Sequence, residues 1–274
     1  MAKITFYGGA SHVTGANYLL EAGGLKILVD CGMIQGSRYN DEMNYAEFGY
    51  DASRVDYLFI THSHVDHMGR VPKLFRDGFR GVIYATEPTA AIIEVALPDT
   101  LDRTISDAKE FNTPPLWDKH DMEESIAMFK PVPYRQRIKL NHQVTVIGHD
   151  SGHVLGSTNW EFFIEEEGAT KRIAFPGDIG NPPSMLLQDI EYARGVDYTL
   201  VESAYGSRFH EERNIRRQTL LDTILETYNR GGVLIIPSFA VERTQEILLE
   251  MDSFFEAGQL PKMPVFVDSP LAIA

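Results

Sequence analysis

The chain has one cysteine in 274 residues, so an intrachain disulfide is excluded and a reducing compartment is expected. Cys31 itself reads as a small buried hydrophobe beside Asp30. No apolar run approaches the ~20 residues of a membrane span, and the chain opens directly on the strand-like Lys3-Ile4-Thr5-Phe6-Tyr7 with no secretory signal pattern. A cytoplasmic location with no membrane partner is therefore expected. Cations are scarce: 25 Lys and Arg stand against 39 Asp and Glu, a formal charge of -14. That balance opposes broad attraction to nucleic acid, because counterion release needs Lys and Arg along the contact. A metal site can still supply positive charge locally.

What is present is an ordinary globular composition, 43% hydrophobic and 23% charged, long enough for one large or two smaller domains. Strand and helix patterns alternate in an α/β order, with no internal repeat. Leu25 to Asp30 and Val55 to Ile60 read as buried strands, a short helix follows around Gly69 to Phe75, and Val82 to Ala85 is a further strand. Residues 87 to 130 read as a helical cap, with a break or fresh start expected at each of Pro98, Pro114 and Pro115. Strands return at Val144 to Ile147, Asn159 to Ile164, Lys171 to Phe175 and Tyr198 to Val201. The acidic Glu165-Glu166-Glu167 before Gly168 reads as a solvated hairpin turn. From Glu211 to Asn229 the apolar residues Ile215, Leu220, Leu221, Ile224, Leu225 and Tyr228 form a helical stripe expected to face a core.

The strongest signal is Thr61-His62-Ser63-His64-Val65-Asp66-His67, with three imidazoles and a carboxylate where a buried strand gives way to a loop. At a strand end, side chains at i and i+2 point to one side, which lets His62 and His64 converge on one ion. Asp66 and His67, on the following turn, face a neighbouring position. The competing reading is a His-rich surface loop. Two later loops offer further donors. Asp150-Ser151-Gly152-His153-Val154-Leu155-Gly156-Ser157 sets a histidine among glycines, and Phe175-Pro176-Gly177-Asp178-Ile179-Gly180 sets a carboxylate after a strand. Either alone is also an ordinary turn.

Taken in order, Asp30, HSHVDH, His153 and Asp178 resemble the metallo-β-lactamase superfamily across roughly the first 205 residues. The resemblance implies an αββα sandwich with a two-metal site at the edge of its sheets. It implies His62, His64 and His153 on the first metal, Asp66 and His67 on the second, Asp178 bridging, and Asp30 behind them orienting the loop. Two zinc ions fit imidazole and carboxylate ligands, and manganese stays open. The resemblance narrows further on. Val201-Glu202-Ser203-Ala204-Tyr205-Gly206 is similar to the acidic motif opening the β-CASP subgroup, with Ala204 where the usual form has Thr, and Ile236 to Glu246 and Pro264 to Ala272 resemble two landmarks of the β-CASP insert. This implies a metallo-β-lactamase domain over 1–207 followed by the beginning of an α/β β-CASP domain over 208–274.

Members of that subgroup act on nucleic acid, so the implied activity is hydrolysis of RNA phosphodiester bonds, with Asp66 and Glu202 as catalytic residues. Glu202 would move the proton to the leaving oxygen with a histidine from farther along the chain. Ser238 is either a phosphate contact at a helix N-terminus or the cap of that helix. His12, in Gly8 to Gly15, is brought near the site by the resemblance alone, while His120, His142, His149 and His210 have no spacing that recommends them. RNA is the implied partner, other RNA-processing proteins could join it, and monomer and homodimer both stay open. Relatives of this kind continue past the position of Ala274 and bring a last ligand histidine, so the chain is expected to be an N-terminal portion of a longer protein and weakly active or inactive alone. Two other readings stand beside this one. A noncatalytic scaffold of an RNA-processing complex would have lost metal ligands, and a small-molecule thioester or lactone hydrolase would have no use for the residues after Glu202.

Overall fold

The computed structural model describes residues 1–36, 43–207 and 213–273. It divides into two compact units, Met1–Glu202 and Ser203–Ala274. The expected boundary between 207 and 208 falls where the described residues break off, and His210 and Glu211 lie outside them.

The first unit is a sandwich of two sheets. Its first sheet runs in the order β1 (Lys3–Gly8), β2 (Asn17–Ala22), β3 (Leu25–Val29), β4 (Tyr57–Phe59), β5 (Val82–Ala85), β6 (Phe129–Pro131). β1 to β3 are antiparallel, and β3 to β6 are parallel. Parallel neighbours need crossovers. From β4 to β5 the crossover is α1 (Val65–Met68) with α2 (Val71–Arg76), and from β5 to β6 it is α3 (Glu87–Phe111) with α4 (Lys119–Ala127). The second sheet, in the order β11 (Tyr198–Thr199), β10 (Ala169–Phe175), β9 (Thr158–Glu166), β8 (Val144–Asp150), β7 (Arg137–Lys139), is antiparallel except for β10 with β11.

Strand alternation explains why the sheets face each other. Leu20, Ile27, Val29, Phe59 and Tyr84 from the first meet Val144, Val146, Trp160, Phe162, Ile164 and Phe175 from the second in one buried cluster. The intervening residues Leu19, Leu28, Leu58 and Ile83 are buried on the opposite face of the first sheet. The ends of β3, β4 and β10 and the start of β9 all open at the same edge. There Asp30 N donates to Phe59 O, and Thr158 N donates to Thr61 O across the two sheets.

Two expectations need correction. α3 runs through Pro98 without a break, although an interior proline costs about 3 kcal/mol. Burial of Ile93, Leu97 and Leu101 on both sides of it holds the helix together. The helix ends at Asn112, which adopts left-handed backbone geometry with φ 54°, ahead of Pro114 and Pro115. In the second unit, α5 (Arg213–Asn229) buries Leu221 and Ile224 with Met251, Phe254 and Leu260, but Ile215 and Tyr228 are exposed. These two sit off the face that α6 (Arg243–Glu256) contributes to this core. A last turn of helix, α7, spans Pro270–Ile273.

Candidate metal centre

Four donors from three loops meet at the open edge of the sandwich. Ligand atoms of His62, His64, His153 and Asp178 all lie within 4.8 Å of one another. His62 Nε2 is 3.0 Å from His64 Nδ1, and His153 Nε2 is 3.2 Å from the same atom. Asp178 Oδ2 stands 3.9 Å from His62 Nε2 and 3.6 Å from His153 Nε2. For metal–nitrogen bonds of about 2.0–2.1 Å, ligand atoms of one coordination shell stand roughly 2.9–3.4 Å apart. The spacing of the three imidazoles therefore fits a shell around one cation.

A second set adjoins the first. His67 Nε2 lies 3.3 Å from Asp178 Oδ1 and 3.9 Å from Asp66 Oδ2. Asp178 thus turns one oxygen to each set. On the far side of the ring, His67 Nδ1 is 2.8 Å from Asp30 Oδ2. That bond leaves His67 Nε2 as the free donor atom, the usual arrangement for a ligating imidazole backed by a carboxylate.

Local backbone geometry explains how the loops come so close. Asp30 has φ 60°, an uncommon conformation for a residue with a side chain. It is held by Thr61 N and Thr61 Oγ1, which donate to Asp30 Oδ1 and Oδ2 at 2.7 and 2.8 Å. Gly177 has φ 61°, and a Cβ there would sit 2.6 Å from Thr61 Cβ, so only glycine lets the Asp178 loop lie on this threonine. Gly32 is equally constrained, since a Cβ would meet Asp66 O at 1.5 Å. The His153 loop is closed by Ser157, whose Oγ accepts from the backbone N–H of His153 and Val154.

The electrostatics match a cation site. Burial first, then the neighbouring imidazoles His67, His64 and His153, push His62 well below the usual histidine range. Burial likewise lowers His64. Burial raises Asp178, but the hydrogen bond and charge of His67, with His153 and His64, outweigh it and hold the carboxyl down at about 2. Burial also opposes the charge on His67, yet Asp30, then Asp178 and Asp66, raise it well above the ordinary value. His62 and His64, which resist protonation and face the ionised Asp178, are the donor chemistry of a divalent metal.

Other sequence-predicted residues lie outside this set of converging ligand atoms. Glu202, at the end of the first unit, is exposed, and its Oε1 lies 3.5 Å from Ile179 N, next to Asp178. His12 is exposed on the loop after β1, whose last residue Ala16 donates its N–H to Asp66 O. Ser238 belongs to the second unit and is exposed there, its Oγ 3.4 Å from Phe239 O. It does not cap α6, because the residue at that position is Glu242. His149 pairs with buried Glu161 at 2.9 Å, and Cys31 is buried as a free thiol. The residue that sequence reasoning missed is Thr61, since a threonine beside a histidine carries no spacing signal of its own.

The model of the metallo-beta-lactamase superfamily domain matches residues 19–173, more than half of the chain. The chain belongs to that superfamily and, with its acidic motif and later landmarks, to the β-CASP subgroup. It is 36% identical over 270 residues to a ribonuclease of Thermus thermophilus, covering 98% of this chain and 59% of that protein. Cleavage and polyadenylation specificity factor subunit 3 of Dictyostelium discoideum is 32% identical over 276 residues, 98% of this chain and 34% of its own. Transcription termination factor FttA of Methanosarcina mazei is 27% identical over 270 residues, 97% of this chain and 41% of its own. The chain spans about half the length of the curated relatives it matches.

Proposed function

We propose that this chain carries the metal centre of a zinc-dependent ribonuclease that hydrolyses RNA phosphodiester bonds. The convergence of His62, His64, His153 and Asp178 is the observation that supports this most. In this reading His62, His64 and His153 hold one ion, Asp66 and His67 hold a second, and Asp178 reaches both. Three imidazoles with a carboxylate favour zinc, while the more acidic second set would also accept manganese. When bound, paired ions of this kind polarise phosphate oxygens and lower the pKa of water to about 7.

The chain's own residues supply the rest. Asp30 orients His67 through its Nδ1–H, and Asp178 keeps the two sets in register through separate oxygens. Glu202, which lies beside Ile179 N, would hold the proton that passes to the leaving oxygen. His12 and Ser238 are proposed substrate contacts. Local positive charge at the centre would draw in a phosphate despite the net charge of -14. RNA is the proposed partner, in a cytoplasmic setting that suits the single buried Cys31. Other RNA-processing proteins and a second copy of the chain are further candidates for assembly. An inert scaffold would have no need of four converged donors, which favours catalysis. The test is to offer the full-length, metal-loaded protein single-stranded RNA alongside thioester, lactone and β-lactam substrates. Cleavage of RNA alone is expected. Turnover of a thioester with every RNA left intact would overturn the reading in favour of a small-molecule hydrolase.

A further inference from the structure

Thr61 is 1% exposed and stands where both ligand sets and both sheets meet. Its Oγ1 is 2.8 Å from Asp30 Oδ2, 3.1 Å from His62 Nδ1 and 3.3 Å from His67 Nδ1. Its Cβ is the surface on which Gly177, next to Asp178, is packed. Its backbone is pinned independently, by Asp30 Oδ1 on one side and Thr158 N on the other.

A hydroxyl has one proton and two lone pairs, so these contacts cannot all be of one kind. Asp30 accepts from Thr61 N at Oδ1 and faces His67 Nδ1 at Oδ2, so donors surround its carboxyl group, and the Thr61 proton goes to Asp30 Oδ2, the shortest side-chain contact of the hydroxyl. Thr61 Oγ1 is then an acceptor toward His62, which must carry its proton on Nδ1. The same Asp30 oxygen accepts from Nδ1–H of His67 at 2.8 Å. His62 is left with a bare Nε2 on its ligand side, and His67, with its Nδ1 proton committed to Asp30, turns Nε2 to the second set.

We propose that Thr61 is a positioning residue that, with Asp30, fixes one imidazole of each ligand set in the same tautomer, joining the two sets into a single preorganised unit. The inference rests on the ligand assignment above. It separates Thr61 from a packing role, because a hydroxyl is required and a methyl of the same shape would not serve.

Two variants and one direct observation test it. Thr61→Val keeps the shape and the backbone bonds and deletes the hydroxyl, whereas Thr61→Ser keeps the hydroxyl and deletes the methyl. In metal-free full-length protein at mildly alkaline pH, nitrogen-15 spectra should show His62 neutral and protonated on Nδ1, and His67 with a proton on the Nδ1 that faces Asp30. Thr61→Val should lose that preference at His62 and keep it at His67, where Asp30 remains. In chelator competition, zinc affinity should fall about 10- to 100-fold in Thr61→Val and stay within about threefold of the parent in Thr61→Ser. A His62 proton on Nε2 in the parent protein would overturn the proposal. So would equal zinc affinity in Thr61→Val and the parent, or equal weakening in both variants, which would mean packing alone. If the parent takes up no zinc, the ligand assignment falls, while the tautomer spectra still decide the role of Thr61.

Discussion

The residues up to Glu202 and those after it use similar β-branched and aromatic runs and treat them in opposite ways. In the first unit, Val29, Phe59 and Ile164 are wholly buried, each on a strand with ladder partners. In the second, the equally apolar Val233 to Ile236 and Pro264 to Val267 form no strand among the described residues. Val233, Ile235 and Phe266 are 86%, 81% and 86% exposed. What packs in that unit is helix against helix, with Leu221, Ile224, Met251 and Phe254 at its centre. Strand propensity describes a fit to neighbouring strands, so a run without such neighbours stays irregular however β-prone its residues. Chemistry follows the same division, since His62, His64, His153 and Asp178 all belong to the unit whose strands are paired.

The largest expected effect would break this division if it failed. His62→Ala/His64→Ala should lose about one equivalent of metal or more, and in the full-length protein the RNA cleavage proposed above should fall on the order of 10⁴-fold, because groups acting as one unit are lost together. Metal analysis of the folded double variant checks this. Unchanged stoichiometry would move the site out of the first unit.

Core substitutions sharpen the contrast directly. Phe59 is fully buried and stacks on Tyr84, with Trp160 edge-on at 5.0 Å. Phe59→Ala should cost about 3–5 kcal/mol. Phe266→Ala should change stability by no more than about 0.5 kcal/mol, as expected of an exposed site. Denaturant titration followed by tryptophan fluorescence reads Phe59→Ala, since Trp117 and Trp160 both belong to the first unit, and far-ultraviolet circular dichroism, to which the helices of the second unit contribute, reads Phe266→Ala. Similar losses in both variants would show that Phe266 is covered in solution. Sedimentation of Phe239→Ser/Phe266→Ser, with two exposed aromatics removed, should show less self-association than the parent.

The same contrast explains what could be read from the amino acids. His62, His64, His153 and Asp178 were legible because strand-end spacing and glycine-flanked loops constrain where side chains point. Most strands of the sandwich were legible as apolar runs, though β8 and β9 extend beyond the predicted spans to Asp150 and Glu166, and β2, β6 and β7 were not read as strands, β6 beginning inside the stretch expected to be helical. Pro98 misled because its local cost is outweighed by burial that no single position reveals. Ile215 and Tyr228 misled because a stripe shows that a helix has an apolar face, not how much of that face finds a partner. Thr61, and its contact with Gly177, were silent because that constraint is mutual and acts across more than a hundred residues of sequence.

The smallest effect concerns acid. In the metal-free protein, Asp178 is held at about 2 by His67, His153 and His64 against the opposing effect of burial. An unfolded aspartate titrates near 3.9. A carboxyl depressed by folding stabilises the native state above its unfolded pKa, and that stability drains away as pH falls from about 4 through about 2. Because the side chain is 31% exposed, solvent screening reduces the gain to on the order of 1 kcal/mol. Asp178→Asn removes the carboxylate, so acid unfolding of the metal-free variant, followed by tryptophan fluorescence, should lose this slope while the parent keeps it. Far-ultraviolet circular dichroism, to which the helices of both units contribute, supplies the control: a single transition that coincides with the tryptophan signal and shifts with it in the variant would mean that the two units unfold as one, and the division drawn between them would not hold in solution.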